Sequence, residues 1–320
     1  MRGARKAKAC VPMDASRQLV RLGDFARKDG LPFARDLLRK ARGAIDGMAA
    51  TLVGRDLEER LARVSADLAP HGVDPFGWDP EYARYVIAGA AALSRSYFRT
   101  VVSGIEKLPK GRVILVSNHS GQIPLDGVII AISVFLEAEP PRIVRAMVEK
   151  WSQTLPFIST FFAKCGQVVG VPENAALILK RGEPLLVFPE GTRGLAKTFQ
   201  HRYELTDFGL GFMRLALQTD TPILPVSVIG AEEQYISVAN MKSLAKTLHM
   251  PSFPVIPQLF LPGGALPLPT RYRIQFGDPL YFRGDPDDDD AVIEEKVWVV
   301  KATIQSMLNR GLMDRKSLFF

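Results

Sequence analysis

Residues 113–119 read Val113-Ile114-Leu115-Val116-Ser117-Asn118-His119, a short β-branched apolar run that passes directly into polar residues. Two similar apolar runs follow at 185–188 and 223–228, and patterns typical of helices lie at 127–136, 173–181 and 210–218. Continuously apolar strands that alternate with helices indicate a sheet whose two faces are both covered. The sequence therefore predicts an α/β fold with a mixed, mostly parallel central sheet flanked by helices.

The pattern extends on both sides of these runs. Residues 82–100 predict a helix with an apolar centre. A closing helix is predicted from apolar residues that recur every three or four positions, namely Ile293, Val297, Val300, Ile304 and Leu308. Residues 271–276 alternate between polar and apolar side chains instead, which is the pattern of a half-buried strand. We expect that strand at an edge of the sheet.

The first 75 residues differ from the rest in charge. They carry 15 Lys and Arg against 10 Asp and Glu, which is +5 of the net charge of +7, and their apolar residues recur at helical spacing. The sequence therefore predicts a basic, helical N-terminal extension over 1–75, followed by an α/β domain over 76–320. Such an extension suits an anionic membrane surface, an acidic protein or simply solvent. Nucleic acid is not expected as a partner, because no zinc-finger spacing or aromatic-basic signature accompanies the charge.

The composition excludes several classes of protein. With 47% apolar and 23% charged residues, the chain is globular rather than disordered or fibrous. Two cysteines, Cys10 and Cys165, exclude a disulfide scaffold and indicate a reducing compartment. No signal peptide is visible, so we expect a cytoplasmic protein. The four histidines show no metal-ligand spacing, so no metal site is expected.

One long stretch carries no charge. The 24 residues between Lys246 and Arg271 include no Asp, Glu, Lys or Arg, a length that would cross a bilayer as a helix. Six prolines exclude such a helix. The stretch either packs on the domain or dips into a membrane interface, with Phe253, Leu259, Phe260 and Leu261 as the expected contacts. Since no segment qualifies as a transmembrane helix, we expect peripheral membrane association.

Two polar motifs follow the first two apolar runs. His119 comes just after the first, and Asp126 lies seven residues further on. A carboxylate can orient an imidazole that takes a proton from a substrate hydroxyl, although a polar loop histidine and an unrelated helix-capping aspartate would give the same pattern. The second motif stands at the end of the second apolar run and reads Phe188-Pro189-Glu190-Gly191-Thr192-Arg193-Gly194. Its residue types suit a turn that meets a polar or phosphorylated ligand. It matches neither a Walker A loop nor a dinucleotide fingerprint.

Together these motifs resemble the glycerolipid acyltransferase family, which includes the lysophosphatidic acid acyltransferases. The resemblance covers roughly residues 95–285, and the block at 188–193 is highly specific to that family. It implies acyl transfer in phospholipid biosynthesis, from acyl-CoA or acyl carrier protein as co-substrate, with no other cofactor, to a hydroxyl of a membrane glycerolipid. It also implies His119 as general base and Asp126 as its orienting partner. The residues it implies for substrate binding are Asn118, Ser120, Gly121, Glu190, Gly191, Thr192, Arg193 and Pro225, with the Gly121 and Gly191 neighbourhoods as candidate oxyanion donors.

The chain departs from the family pattern in two places. Six residues separate His119 from Asp126, where the family usually has four, so a bulged turn is needed if the two are to meet. The second block, at 165–172, lacks the arginine that usually grips the acceptor phosphate, which leaves Arg193, Lys164 or Lys180, or a neutral acceptor. The chain therefore resembles a divergent branch of the family that includes mono- and diacylglycerol acyltransferases. Two other interpretations are a lipid-binding module on an inactive scaffold and a serine hydrolase that uses Ser117 or Ser120.

Overall fold

The computed structural model describes residues 55–65, 74–119, 123–149, 157–241, 245, 253–315 and 317. Elements are numbered below in chain order through these residues. Most of the predicted N-terminal extension, including the helical pattern over 38–52, lies outside them. The helix α1, Arg55–Val64, falls within the extension and buries Leu57 and Leu61. The boundary at residue 75 remains a prediction.

A seven-stranded sheet forms the centre of the α/β domain. Nine strands are described, with these bounds: β1 Val101–Ser103, β2 Val113–Ser117, β3 Arg145–Val148, β4 Val168–Val169, β5 Pro184–Val187, β6 Ile223–Ile229, β7 Ala239–Asn240, β8 Pro254–Val255 and β9 Arg273–Phe276. The order in the sheet is β1-β9-β6-β2-β5-β3-β4, while β7 and β8 form a separate antiparallel ribbon. Among the described pairs of the sheet, only β6 and β9 run antiparallel. The predicted mixed, mostly parallel sheet is confirmed.

The three apolar runs form the buried central strands. All residues of β2, β5 and β6 are buried, which explains why their sequences do not alternate. The prediction for 271–276 is half wrong. The strand β9 alternates in burial as expected, yet it lies inside the sheet, because the three-residue strand β1 pairs with its outer side through Val101 and Arg273. So short a strand gave no recognisable pattern in the sequence.

Helices cover both faces of the sheet. The remaining helices are α2 Pro80–Ala92, α3 Leu125–Glu137, α4 Ile158–Lys164, α5 Pro172–Lys180, α6 Thr192–Leu195, α7 Gly211–Thr219 and α8 Asp290–Met313. Apolar residues of α5, α7 and α8 pack with Ile114 and Val116 of β2 in one core cluster. The helix α3 connects β2 to β3 while α5 connects β4 back to β5, so right-handed crossovers place these two helices on opposite faces.

The helices predicted around the sheet are confirmed to within a few residues. The pattern over 82–100 corresponds to α2 and a π-helical turn over Leu93–Tyr97. The closing helix α8 buries all five residues that predicted it. Within the described residues, no helix is both long and apolar enough to span a lipid bilayer.

Candidate active site

The polar motifs meet where three neighbouring strands end. The strands β5, β2 and β6 run parallel, so their carboxyl ends lie at one edge of the sheet, where ligands bind in open α/β folds. Asn118 follows β2 and pairs its side-chain amide with the backbone of Val228 on β6: Nδ2 donates to the carbonyl at 3.0 Å, and Oδ1 accepts the N–H at 2.8 Å. Asn118 is fully buried, and these contacts extend the pairing of β2 with β6 by one residue. These two hydrogen bonds fix the end of β2, and His119 is the next residue of the chain.

His119 and Asp126 are in direct contact. Nδ1 of His119 lies 2.8 Å from Oδ2 of Asp126, and Oδ1 of Asp126 accepts the backbone N–H of Gly127 at 2.8 Å. The carboxyl group is fully buried and the histidine is 8% exposed. When Nδ1 donates its proton to the carboxylate, the lone pair of Nε2 is left to accept a proton. The six-residue spacing therefore does not keep the pair apart.

The loop between the pair is held at its far end. Gln234 is fully buried, and its Nε2 donates to the carbonyl oxygen of Ile123 at 2.9 Å. Its Oε1 accepts the hydroxyl of Tyr272 at 2.7 Å, which fixes the orientation of the amide. Gln234 thus anchors the chain at Ile123, three residues before Asp126 and two before the start of α3. Ser120 and Gly121, two of the residues predicted to bind substrate, lie outside the described residues.

Glu190 supports His119 from the second motif. One carboxylate oxygen accepts the backbone N–H of His119 at 2.9 Å, and the other accepts the N–H of Thr206 at 2.8 Å and its hydroxyl at 3.0 Å. The residue is 1% exposed. Both oxygens of Glu190 are therefore engaged by protein donors, and these contacts position the backbone of His119.

Lys197 joins Glu190 to a second buried carboxylate. Its Nζ lies 3.5 Å from Oε2 of Glu190 and 3.0 Å from Oε1 of Glu232, and Glu232 also accepts the backbone N–H of Tyr203 at 2.9 Å. Burial raises the pKa of Glu232 to about 7, although Lys197 opposes the shift. One cation thus serves two buried carboxylates, an arrangement that is costly to disturb because a lost partner leaves a buried charge uncompensated.

The ring and backbone of His119 are also packed tightly. Phe188 stacks on the imidazole with ring centroids 4.0 Å apart and an interplanar angle of 21°. Gly194 packs against the backbone of His119, and a Cβ at that position would lie 2.8 Å from the carbonyl oxygen of His119 and 3.0 Å from its Cβ. Only glycine fits between His119 and Glu190 without a shift.

The rest of the second motif forms a turn. Gly191 has φ +56°, and its N–H donates to the carbonyl of Phe188 at 3.0 Å, so that N–H is used inside the turn. Thr192 begins α6, and Arg193 is exposed, donating through Nη2 to the carbonyl of Asp207 at 3.0 Å. Pro225 is buried within β6, opposite Val116, and is part of the sheet.

Arg193 borders a cavity of about 500 Å³. The lining includes two further basic side chains, Lys197 and His201, and the hydroxyl-bearing Thr198 and Thr206. It also includes Glu204, whose carboxylate lies 2.9 Å from Nδ1 of His201. Because Thr206 and Lys197 contact Glu190, the cavity wall is connected to His119 through that carboxylate. Of the other cations considered for phosphate, Lys164 pairs with Asp79 at 3.2 Å, and Lys180 is exposed at the end of α5.

Several supporting residues could not be recognised in the sequence. Gln234, Thr206, Lys197 and Glu232 are distant from His119 along the chain and belong to no motif. Gly194 was visible as the last residue of the second motif, but its contact with His119 depends on the tertiary structure. In the part of the chain that the structure describes, no group of three or more His, Cys, Asp and Glu side chains could hold a metal ion.

The chain is similar to a known protein family and to several individual proteins. A family model described as Acyltransferase matches residues 99–229. An uncharacterized protein of Mycobacterium leprae is 39% identical over 278 residues, which are 83% of this chain and 76% of that protein. A probable 1-acyl-sn-glycerol-3-phosphate acyltransferase of Mycoplasma pneumoniae is 29% identical over 142 residues, 42% of this chain and 50% of that protein. A Mus musculus protein described as a DGAT1/2-independent enzyme synthesizing storage lipids is 24% identical over 237 residues, 73% of this chain and 66% of that protein.

Proposed function

The chain belongs to the glycerolipid acyltransferase family, and on that premise we propose that it transfers a fatty acyl group from a thioester donor to a hydroxyl group of a glycerolipid acceptor. The observation that carries the proposal is the buried pair of His119 and Asp126, in contact at 2.8 Å at the carboxyl end of β2. A lipid-binding module would have no need for a buried imidazole–carboxylate contact with one ring nitrogen left to accept a proton.

The proposed reaction needs one proton acceptor. Nε2 of His119 removes the proton of the acceptor hydroxyl while the hydroxyl oxygen attacks the thioester carbonyl. The carbon–sulfur bond then breaks, and the imidazolium returns the proton to the departing thiolate, so that the products are the ester and the free thiol. General-base catalysis of this kind contributes on the order of 10²–10⁴ in rate. Asp126 holds the tautomer and stabilises the imidazolium that forms. Glu190 and Phe188 keep the ring and its backbone in place.

The hydrolase alternative receives no support from Ser117. Its hydroxyl donates to the carbonyl oxygen of Asn118 at 3.1 Å, and the residue is fully buried at the end of β2. A nucleophilic serine needs its hydroxyl exposed and hydrogen-bonded to the base. Ser120, the other serine of that alternative, lies outside the described residues, and the measurement of free fatty acid tests it. Direct transfer without a covalent intermediate on the protein is the mechanism we propose.

The acceptor is proposed to carry a phosphate, as lysophosphatidic acid or another lysophospholipid does. Arg193 is exposed at the cavity of about 500 Å³, and a guanidinium group suits an anionic oxygen. Lys197 is held by two buried carboxylates and His201 by Glu204, so Arg193 is the cation that we propose meets the phosphate. The donor is acyl-CoA or acyl carrier protein, both of which are acidic. A neutral mono- or diacylglycerol is the second candidate, favoured by the missing arginine at 165–172 and by the name of the mouse relative.

An acceptor panel tests the proposal. Purified protein is given one radiolabelled acyl-CoA with lysophosphatidic acid, other lysophospholipids, monoacylglycerol or diacylglycerol, and labelled lipid and free fatty acid are both measured. We expect labelled phospholipid from the phosphorylated acceptors and none from the His119→Ala variant. Labelled neutral lipid alone would select the second candidate. Release of fatty acid without any acceptor would indicate a hydrolase. No turnover with acyl-CoA, nor with acyl carrier protein when the panel is repeated with that donor, would indicate a binding module.

A further inference from the structure

Exposed apolar side chains are concentrated in one part of the chain. Of the twenty exposed large apolar residues in the described chain, seven lie between positions 236 and 266: Ile236, Val238, Met241, Leu259, Phe260, Leu261 and Leu266. Phe260 is 86% exposed. A local excess of exposed apolar side chains is typical of a site of interaction with a membrane or another molecule. We call the described residues 253–266 the apolar segment.

The apolar segment presents these side chains on a backbone that is bonded internally. A 3₁₀ turn over Pro257–Phe260 leads into two further turns, in which the N–H groups of Leu261 and Gly264 are satisfied by carbonyls within the segment. The side chain of Gln258 adds a bond from its Nε2 to the carbonyl of Gln234 at 3.3 Å. The paired backbone groups lower the cost of moving this part of the segment from water to a membrane interface.

Charged side chains are absent from the apolar segment and present beside it. Residues 247–270 carry no charged side chain at all. Two half-buried arginines stand at the base, Arg99 and Arg271, and Arg99 donates to the backbone carbonyl of Pro269. An uncharged tip with cations behind it matches hydrocarbon with phosphate groups behind it.

The apolar segment is also bonded to the active-site loop. The backbone carbonyl of Gln234 accepts Nε2–H of Gln258, within the segment, at 3.3 Å and the N–H of Leu268, just after it, at 2.8 Å. The side chain of Gln234 donates to the carbonyl of Ile123 at 2.9 Å. Ile123, which lies between His119 and Asp126 in the chain, is itself an exposed apolar residue. A surface that docks through the apolar segment therefore lies next to the loop that carries the candidate base.

We propose that the apolar segment docks the protein on an anionic phospholipid bilayer and brings the His119 loop to the bilayer surface. This inference rests on the proposed function only for the nature of the acceptor, since the docking itself needs no catalysis. The side chains that enter the bilayer are Leu259, Phe260, Leu261 and Leu266. The docking is apolar in origin and persists when salt screens the charges of the protein.

Vesicle co-sedimentation tests the docking. The full chain is mixed with vesicles of phosphatidylcholine and phosphatidylglycerol in about 0.1 M and about 1 M NaCl, where the Debye length falls from about 10 Å to about 3 Å. The test variant is Phe260→Asp with Leu261→Asp. The matched control is Trp298→Asp with Val299→Asp, an exposed aromatic–aliphatic pair on α8. Circular dichroism and size-exclusion chromatography check that the variants fold and whether the chain self-associates.

We expect the wild type and the α8 control to remain bound in high salt, and the segment variant to bind roughly tenfold more weakly or worse. A smaller loss of binding in the segment variant would overturn the proposal. Wild-type binding that disappears in high salt would also overturn it, and would assign the docking to the basic N-terminal residues. Self-association that is lost in the segment variant would identify a second copy as the occupant and would also overturn it. Acyl transfer to detergent-dispersed acceptor, measured on the same variants, reports on the proposed function separately and is expected to be unchanged.

Discussion

Replacing Gly194 by alanine tests whether the backbone of His119 must stay where the structure places it. The added Cβ would lie 2.8 Å from the carbonyl oxygen of His119 and 3.0 Å from the Cβ atoms of His119 and Glu190. Two of the three nearest atoms thus belong to His119, and none is the far end of a flexible side chain. Relief of the contact requires a shift of about 0.5 Å, because favourable carbon contacts begin near 3.5 Å.

The shift acts on rate more than on folding. Since a misplacement of about 1 Å can cost about 10²-fold in rate, we expect Gly194→Ala to lower kcat by on the order of tenfold. Overpacking costs about 1–3 kcal/mol in the free energy of unfolding. The assays are acyl transfer at saturating substrate and urea denaturation of the same preparation.

Gly89 provides the matched control. It is an exposed glycine of the helix α2, and a Cβ added there would have no heavy atom within 4 Å beyond its own helix backbone and chain neighbours. Gly89→Ala should leave kcat unchanged and stabilise the fold by roughly 0.5–1 kcal/mol. A Gly194→Ala variant that folds and retains the wild-type kcat would refute the reasoning, because His119 would then tolerate displacement.

Three further predictions follow from the site. Asp126→Asn should lower kcat less than loss of His119 does, since the imidazole remains; an equal loss, measured in the same transfer assay, would contradict a purely orienting role. Arg193→Ala should raise KM for a phosphorylated acceptor more than for a neutral one. Equal effects on both acceptors would remove the phosphate role and leave Arg193 only its structural contact with the carbonyl of Asp207. Glu232, whose folded pKa is raised to about 7 from 4.5, contributes stability that is complete below about pH 4.5 and lost as the pH rises to about 7. Glu232→Gln should therefore remove part of the fall in unfolding free energy over that range, and unchanged pH dependence in urea denaturation would contradict the raised pKa.

The sequence predicted the centre of the fold well because burial leaves a direct record in residue type. Strands covered on both faces must be apolar throughout, so β2, β5 and β6 were recognisable from their composition alone. The outer strands were not. The strands β1 and β4 have three and two residues, too few for a periodic pattern, and the misplaced edge at β9 followed from overlooking β1.

The candidate site was predictable where its residues follow strands and unpredictable where they meet through the fold. His119 and Glu190 were visible because each comes directly after an apolar run. The contact of Glu190 with the N–H of His119 depends on the adjacency of β2 and β5. The contact of Asp126 with the ring depends on the course of the loop between them, in which Gln234 holds Ile123. Neither contact can be predicted from the number of residues between the two motif positions.

The most direct test of the proposed mechanism is the rate of acyl transfer by His119→Ala, measured in a single turnover with radiolabelled acyl-CoA. Because the ring is buried against Phe188, His119→Asn is measured beside it, and thermal unfolding verifies that both variants fold. A general base contributes on the order of 10²–10⁴, so we predict that both variants lose at least about 10²-fold in rate while remaining folded. A folded variant that keeps more than about a tenth of the wild-type rate would contradict the assignment of His119 as the base.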